Sequence, residues 1–284
     1  MTENVVNNTA VQSTTDAVSQ PLFAESSTQQ GPLGARRALN DGRVFRYTQF
    51  TSAAAVPAGL LVAPDVTSQF CEESAATTVR DSAGDAADIN SSDTVTRLYF
   101  LDTDIFTAAN SDDVFAGGYL HMLNSATGGY THRIRSNVYT ATTSVLQVDL
   151  YDSIIENITS ESEMSISGSP YQNCVIANNG SDDQVSGLTV RNMTAAYYGW
   201  IQTFGRATVL ADESVAAVPV AKGTIAVLSD GVNGAAAVMS QAHDHSEIAA
   251  ASDMGPMVTE PIVGHFLGAA TDANHVGIHL EISW

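Results

Sequence analysis

The sequence is poor in lysine, cysteine and long apolar runs, and each shortage excludes a class of protein. Its 284 residues include 11 basic side chains, of which only Lys222 is a lysine, against 31 acidic ones, giving a formal charge of −20. Because so acidic a surface repels phosphate groups, we expect no nucleic-acid partner. Charged residues make up 15% and hydrophobic residues 44% of the chain, a balance atypical of a disordered protein.

The shortage of cysteines and apolar runs bears on compartment and membrane association. Cys71 and Cys174 lie far apart in sequence, and a disulfide framework needs more cysteines at closer spacing. The longest nearly apolar run, residues 53–64, is too short for a membrane span and is interrupted by Pro57 and Gly59. The first residues show neither the basic nor the apolar region of a secretory signal. We therefore expect reduced thiols, no membrane partner, and synthesis in a reducing cytoplasm.

Short β-type segments separated by turn residues recur along the chain. Arg43–Tyr47 alternates polar and apolar side chains directly after the turn tripeptide 40–42, in which Gly42 suits a positive φ. Residues 119–123 and 130–134 flank another turn and predict a hairpin. No long stretch has a convincing 3.6-residue apolar period. The pattern predicts an all-β fold, a sandwich or a barrel with turns rich in Gly, Asn and Asp.

Composition also suggests how the chain is organised. Residues 1–30 are polar and lack any apolar period, which predicts an extended N-terminal arm, disordered alone or ordered only against a partner. Residues 31–284 form the β-rich part, either as one domain or as two β subdomains with a boundary near 165–195. Within it, we predict separate strands in the aromatic stretch 196–204 and in 208–210.

The sequence contains no strong motif for catalysis, cofactor binding or metal binding. The loop His243-Asp244-His245 and the pair at 275 and 279 are isolated, whereas a transition-metal site needs three or four ligands. The acidic clusters at 102–113 and 182–183 do not match the spacing of a calcium-binding loop. There is no nucleophile elbow and no phosphate-binding glycine motif. We expect no catalytic residue, no cofactor and no metal.

The aromatic stretch offers a different kind of site. In a strand, Tyr198, Trp200 and Phe204 share one face with Gln202. Such side chains most often fill a β core or a subunit interface. If they are exposed, they form a platform on which a carbohydrate can stack. Both interpretations stay open at this point.

Several short motifs, taken in order, resemble a family of virion structural proteins of tailed bacteriophages that is common among marine phages. The resemblance covers nearly everything after residue 20, except the inserts around 71–92 and 243–256. Its motifs are GPLGARR at 31–37, DGRVFRY at 41–47, AGL at 58–60, AGGYL at 116–120, GYTHRI at 129–134, LYD at 150–152, SPY at 169–171, VIA at 175–177, YYGWIQTFG at 197–205, ATVL at 207–210 and PIVG at 261–264.

The resemblance implies a non-enzymatic virion component, in the first place a capsid decoration (cement) protein on the head surface, made in the host cytoplasm. Its partners would be the major capsid protein and further copies of itself in a homo-oligomer. Interface residues expected on this basis are Arg36, Arg37, Tyr198, Trp200 and Phe204. Two alternatives remain: a tail, fibre or head–tail connector component, and, in another class, a carbohydrate-binding host-recognition protein.

Overall fold

The computed structural model describes residues 18–65, 72–75, 79–80, 94–100, 112–124, 129–140, 145–155, 157–158, 163–178, 184–212, 220–239, 261–271 and 273–282. These residues contain β-strands and no helix, which confirms the all-β prediction. None of the described segments is a helix of the length and hydropathy that a membrane crossing requires. The strands are β1 (Arg36–Ala38), β2 (Val44–Gln49), β3 (Leu61–Pro64), β4 (Glu72–Ala75), β5 (Val79–Arg80), β6 (Arg97–Phe100), β7 (Tyr119–Asn124), β8 (Thr131–Thr140), β9 (Val145–Leu150), β10 (Glu163–Ser167), β11 (Cys174–Ile176), β12 (Gly187–Thr189), β13 (Tyr198–Leu210), β14 (Ile225–Leu228), β15 (Ala236–Val238), β16 (Ile262–Phe266) and β17 (His275–Glu281).

The chain divides into two compact units, and the second is inserted into the first. Unit 1 comprises Met1–Pro64 and Asn173–Trp284, and unit 2 comprises Asp65–Gln172. If the β-rich part has two subdomains, the sequence predicts one boundary near 165–195, whereas the chain passes between the units twice, after Pro64 and after Gln172. The composition of the sequence does not indicate the first crossing. Strand β3 is part of unit 1 because it pairs with β11 and β12, which follow more than a hundred residues later.

Unit 1 contains an antiparallel sheet of ten strands, in which β13 is the central member. The main order is β11-β3-β12-β13-β17-β16-β14-β15, and β2 joins β13 while carrying β1 on its other edge. Over its first half β13 pairs with β2, and over its second half with β17. The core on one side of this sheet includes Leu188, Val209, Leu228, Phe266 and Ile278.

The β1–β2 hairpin forms at the predicted turn. Gly42 has a φ of 87°, a conformation that costs glycine little because it has no Cβ. The Gly42 amide donates to the Leu39 carbonyl, and the Leu39 amide donates to the Arg43 carbonyl. These are the bonds of a three-residue loop closed by a glycine bulge. The turn brings Asp41 and Arg43 to the end of the hairpin.

A bulge in β13 corrects one sequence prediction. Residues 196–204 and 208–210 were expected to form separate strands, but a single strand runs from Tyr198 to Leu210. The register against β2 shifts between Gln202 and Phe204, and Gly205 has a φ of 88°. Two carbonyls exposed by this irregularity, those of Phe204 and Arg206, accept hydrogen bonds from the buried Gln202 amide. Gly205 therefore bends the strand and does not end it.

Unit 2 is a simpler antiparallel sheet, with the strand order β4-β10-β7-β8-β9-β6-β5. β8 alternates exposed and buried side chains over its first five residues, because one face packs on the core and the other does not. Leu98, Phe100, Leu120, Ile134 and Val148 are at the centre of that core, each at most 1% exposed. Unit 2 thus has a hydrophobic core separate from that of unit 1.

The described part of the N-terminal arm lies on the chain's own sheet. Residues 18–26, which we call the strap, cross the face of unit 1 that lies above β2 and the start of β13. Val18 and Gln20 are buried, and Ser26 forms two backbone hydrogen bonds with Tyr198. The prediction that residues 1–30 are disordered alone or ordered only against a partner is wrong for residues 18–26. They order within the chain because their backbone carbonyls find buried donors there.

Candidate functional site

The five residues expected at an interface fall into two groups. Arg37 and Trp200 are 6% and 1% exposed, so neither side chain can contact a partner in this fold. Arg36 is exposed, and Tyr198 and Phe204 keep part of their surface. The structure therefore brings Arg37, Trp200 and Tyr198 together inside unit 1, under the strap, and leaves Arg36 and Phe204 outside that group.

Arg37 ties the strap to the sheet. Its two terminal nitrogens donate to the carbonyl oxygens of Val18, at 2.7 Å, and Gln20, at 3.0 Å. The guanidinium carbon lies 4.2 Å from the centre of the Trp200 ring, a cation–π contact. A planar guanidinium suits this position because it can stack on a ring while donating along its edges. Arg37 was expected to contact a partner protein, whereas its contacts are with the strap of its own chain.

Gln20 is the strap residue on which the other contacts converge. Its amide nitrogen donates to the carbonyls of Tyr198 and Ala24, and its side-chain oxygen accepts a 2.8 Å bond from the Tyr47 hydroxyl. The Trp200 indole donates to the Gln20 carbonyl at 3.2 Å. Burial raises the pKa of Tyr47, so its hydroxyl stays protonated as this donor.

This network bears on the carbohydrate interpretation of the aromatic stretch. Tyr47 packs between its two aromatic neighbours: its ring is 6.2 Å from that of Tyr198, nearly parallel, and 5.3 Å from that of Trp200, edge to face. With Trp200 buried beneath Gln20, the expected platform is occupied by the chain itself. Phe204, farther along β13, lines a cavity.

A second surface, on unit 2, carries large exposed side chains that the sequence analysis did not single out. We call it the tyrosine–arginine face and define it by Tyr119, Leu123, Arg133 and Tyr151. Tyr119 is 40%, Leu123 49% and Tyr151 50% exposed. Tyr119 lies directly opposite Arg133 on the neighbouring strand, and the Arg133 guanidinium lies 5.2 Å from the Tyr151 ring centre. Its signal in the sequence is the alternation of β8, which turns Arg133 away from the core.

The strands under this face are fixed by a polar network on the same side of the sheet. Arg97 and Asp149 are direct cross-strand partners, with Nε and Oδ1 2.6 Å apart. Burial raises the pKa of Asp149, but hydrogen bonds and charge from Arg97, with further bonds from Gln147 and Ser136, outweigh it and lower the pKa overall. Asp149 is therefore ionised at neutral pH, and it orders the strand that ends just before Tyr151.

The third feature is a cavity of about 600 Å³ in unit 1, which we call the arginine cleft. It lies between the end of the β1–β2 hairpin, the bulge of β13 and strand β17. Its lining residues are Asp41, Gly42, Arg43, Phe204, Gly205, Arg206 and His279. These residues come from three distant parts of the sequence, which explains why no motif indicated the site.

Local contacts fix the walls of the arginine cleft. The Arg43 Nε donates to Asp41 at 2.7 Å. The Arg43 backbone amide and then its guanidinium hold the pKa of the Asp41 carboxyl below its ordinary value. Opposite them, the rings of Phe204 and His279 meet edge to face with their centres 5.3 Å apart. Arg206 is the cross-strand partner of His279 and is exposed.

Two histidines of unit 1 contact a carboxylate at the end of β17. His279 and His265 flank Glu281 at 3.8 and 3.7 Å. No group of three or more His, Cys, Asp or Glu side chains in the described part of the chain has the geometry of a metal site. The loop His243-Asp244-His245, Cys71 and the acidic residues at 102–104 and 182–183 lie outside the described residues.

Two potentially reactive groups are also held in the β-sheets. His121 Nε2 lies 2.8 Å from the Ser167 hydroxyl, and Nδ1 lies 3.3 Å from that of Thr131. Burial lowers the pKa of His121, so the ring is neutral and shares these hydrogen bonds across three strands. Burial raises the pKa of the Cys174 thiol to about 12, which keeps it protonated and poorly reactive.

Comparison with known proteins supplies no further assignment. No protein-family model, curated protein or solved structure matches this chain. In the part of the chain that the structure describes, the fold is all-β, with one antiparallel sheet in each unit.

Proposed function

We propose that this chain is a structural protein of a tailed-bacteriophage virion, and that it decorates and stabilises the capsid without catalysing a reaction. The observation that carries the proposal is the tyrosine–arginine face of unit 2. Its two tyrosines, leucine and arginine are exposed side by side on an ordered sheet. Tyrosine and arginine are enriched at the centres of protein–protein interfaces, so the face suits a protein partner. The order of the sequence motifs supports the choice of a virion.

The proposed mechanism is thermodynamic. A protein that binds the assembled shell and not its separate subunits stabilises the shell in proportion to how tightly it binds. The major capsid protein is the proposed partner, contacted at repeated positions through the tyrosine–arginine face, with copies of the chain associating as a symmetric oligomer. The acidic composition agrees with this role, because it disfavours binding to the packaged genome.

Copy number in purified phage particles tests the proposal. The chain would be quantified by mass spectrometry relative to the major capsid protein of the same particles. We expect near parity, since a decoration protein repeats over the whole shell. A few copies per particle would instead support a tail, fibre or connector component. Complete absence from the particles would contradict any virion role.

A further inference from the structure

We propose that the arginine cleft binds a small organic anion, namely a carboxylate carried on a six-membered ring. This binding site lies in unit 1 and does not depend on the proposed role in a virion. The cleft volume of about 600 Å³ is within the usual range of small-molecule sites. Three properties of its lining point to this ligand: its charge, its ring surface and the position of Asp41.

The charge of the lining is opposite to that of the whole protein. The chain has a net charge of −20. The lining of the cleft, in contrast, includes two arginines, Arg43 and Arg206, and one carboxylate, that of Asp41. The Arg43 Nε donates a hydrogen bond to Asp41. Within the described residues, the two terminal nitrogens of Arg43 have no hydrogen-bond partner. The Arg206 guanidinium, on an exposed side chain, makes no hydrogen bond or ion pair with any described residue. Paired donors of this kind bind a carboxylate in a bidentate manner.

The ring surface comes from Phe204. Its edge-to-face packing against His279 holds the ring in place, and the Gln202 bonds to the carbonyls of Phe204 and Arg206 fix the backbone on both sides. A partly exposed aromatic ring in a cleft can stack on the face of another ring, either the C–H face of a sugar or a flat aromatic ring. Phe204 and Arg206, two residues apart on β13, line the same cavity.

Asp41 limits the charge of the ligand. Its carboxyl is ionised, since its pKa is lowered by Arg43, and it lines the same cavity as the two guanidinium groups. A second negative charge on the ligand would be repelled by Asp41. This arrangement favours a ligand with one carboxylate over a phosphate dianion or a nucleic acid.

Calorimetric titration of the full chain with four probes tests this site. Sodium glucuronate and sodium benzoate carry a carboxylate on a sugar and on an aromatic ring, respectively. Glucose lacks the charge and acetate lacks the ring. We expect glucuronate or benzoate to bind more tightly than glucose and acetate, and which of the two binds identifies the kind of ring. If neither binds, or if acetate binds equally well, the proposal is wrong.

A pair of arginine variants locates the binding. Arg206→Gln removes a charged hydrogen-bond donor, so it should lower the affinity for the tighter-binding probe by about ten- to a hundredfold. Arg135→Gln changes an exposed arginine of unit 2 and should leave the affinity unchanged. Because both side chains are exposed, we expect both variants to fold. Equal weakening in the two variants would indicate general charge attraction and would contradict a site in the cleft.

Discussion

The two units differ in how their central strands are covered. In β8 of unit 2 the first five residues alternate between exposed and buried, because the tyrosine–arginine face is open. In β13 of unit 1 the five residues Gly199–Thr203 are all buried. The strap covers the second face of that strand, with Arg37 and Gln20 as its attachment points. The central strand of unit 1 is thus buried on both faces over five residues, whereas that of unit 2 has one exposed face.

The largest expected effect comes from removing the ring under the strap. Trp200→Ala should lower the free energy of unfolding by about 3–5 kcal/mol, because it leaves a large cavity and removes the stacking partner of Arg37. Hydrogen exchange followed by mass spectrometry should show faster exchange in β13 and unchanged exchange in β8. Phe100→Ala, in the core of unit 2, should give the reverse pattern. If each variant loosened both strands equally, the two cores would not be separate.

The two neighbouring arginines provide a matched test of the strap. Arg37→Ala should cost about 2–3 kcal/mol, because the buried carbonyls of Val18 and Gln20 lose their charged donor. Arg36→Ala, on the exposed side of the same strand, should change stability by at most about 0.5 kcal/mol. Urea unfolding of both variants measures the difference. Equal costs would show that Arg37 does not hold the strap.

A smaller, pH-dependent effect is expected in unit 2. The folded-state pKa of Asp149 is lowered, so the ionised carboxylate stabilises the fold above its unfolded pKa of about 3.9. This contribution disappears as the pH falls through the folded-state pKa. Asp149→Asn should cost about 1 kcal/mol near neutral pH and progressively less at acidic pH, below the unfolded pKa of about 3.9. Urea unfolding at the two pH values tests this; a cost that did not fall with pH would contradict the proposed ion pair with Arg97.

The smallest effect on stability is expected on the tyrosine–arginine face. Tyr119→Ser should alter the free energy of unfolding by about 0.5 kcal/mol or less, since the side chain is 40% exposed. It should nevertheless lower the number of copies bound to phage particles, because a central aromatic contact would be lost. Tyr130→Ser is the control: Tyr130 is equally exposed but lies opposite Met122, whose side chain points to the core.

The local features of the fold could be predicted from the sequence. The all-β class, the turn at Gly42 and the alternation in β7 and β8 all depend on residues close together in the chain. The sequence does not predict that β13 continues through Gly205. A glycine that adopts a positive φ is as typical of a turn between two strands as of a bulge within one strand. The choice between them depends on β2 and β17, which pair with it from distant parts of the sequence.

The sites were less predictable because they depend on long-range contacts. The sequence predicts Arg37 and Trp200 at an interface with a partner, whereas the structure buries both side chains under the strap of the same chain. Nothing in a polar, aperiodic segment indicates that Val18 and Gln20 will pack on a sheet. The arginine cleft joins residues 41–43, 204–206 and 279, so it appears only when β13 and β17 are paired.

The most direct test of the central claim, that unit 2 presents the partner-binding face, is hydroxyl-radical footprinting of three tyrosines. Oxidation of Tyr119, Tyr151 and Tyr130 would be measured in the free chain and in the chain bound to phage particles. Their exposed fractions of 40%, 50% and 40% make the three side chains comparable in the free state. We predict that particle binding protects Tyr119 and Tyr151 and leaves Tyr130 oxidised as before. Unchanged oxidation of Tyr119 and Tyr151 in the particle would contradict the account.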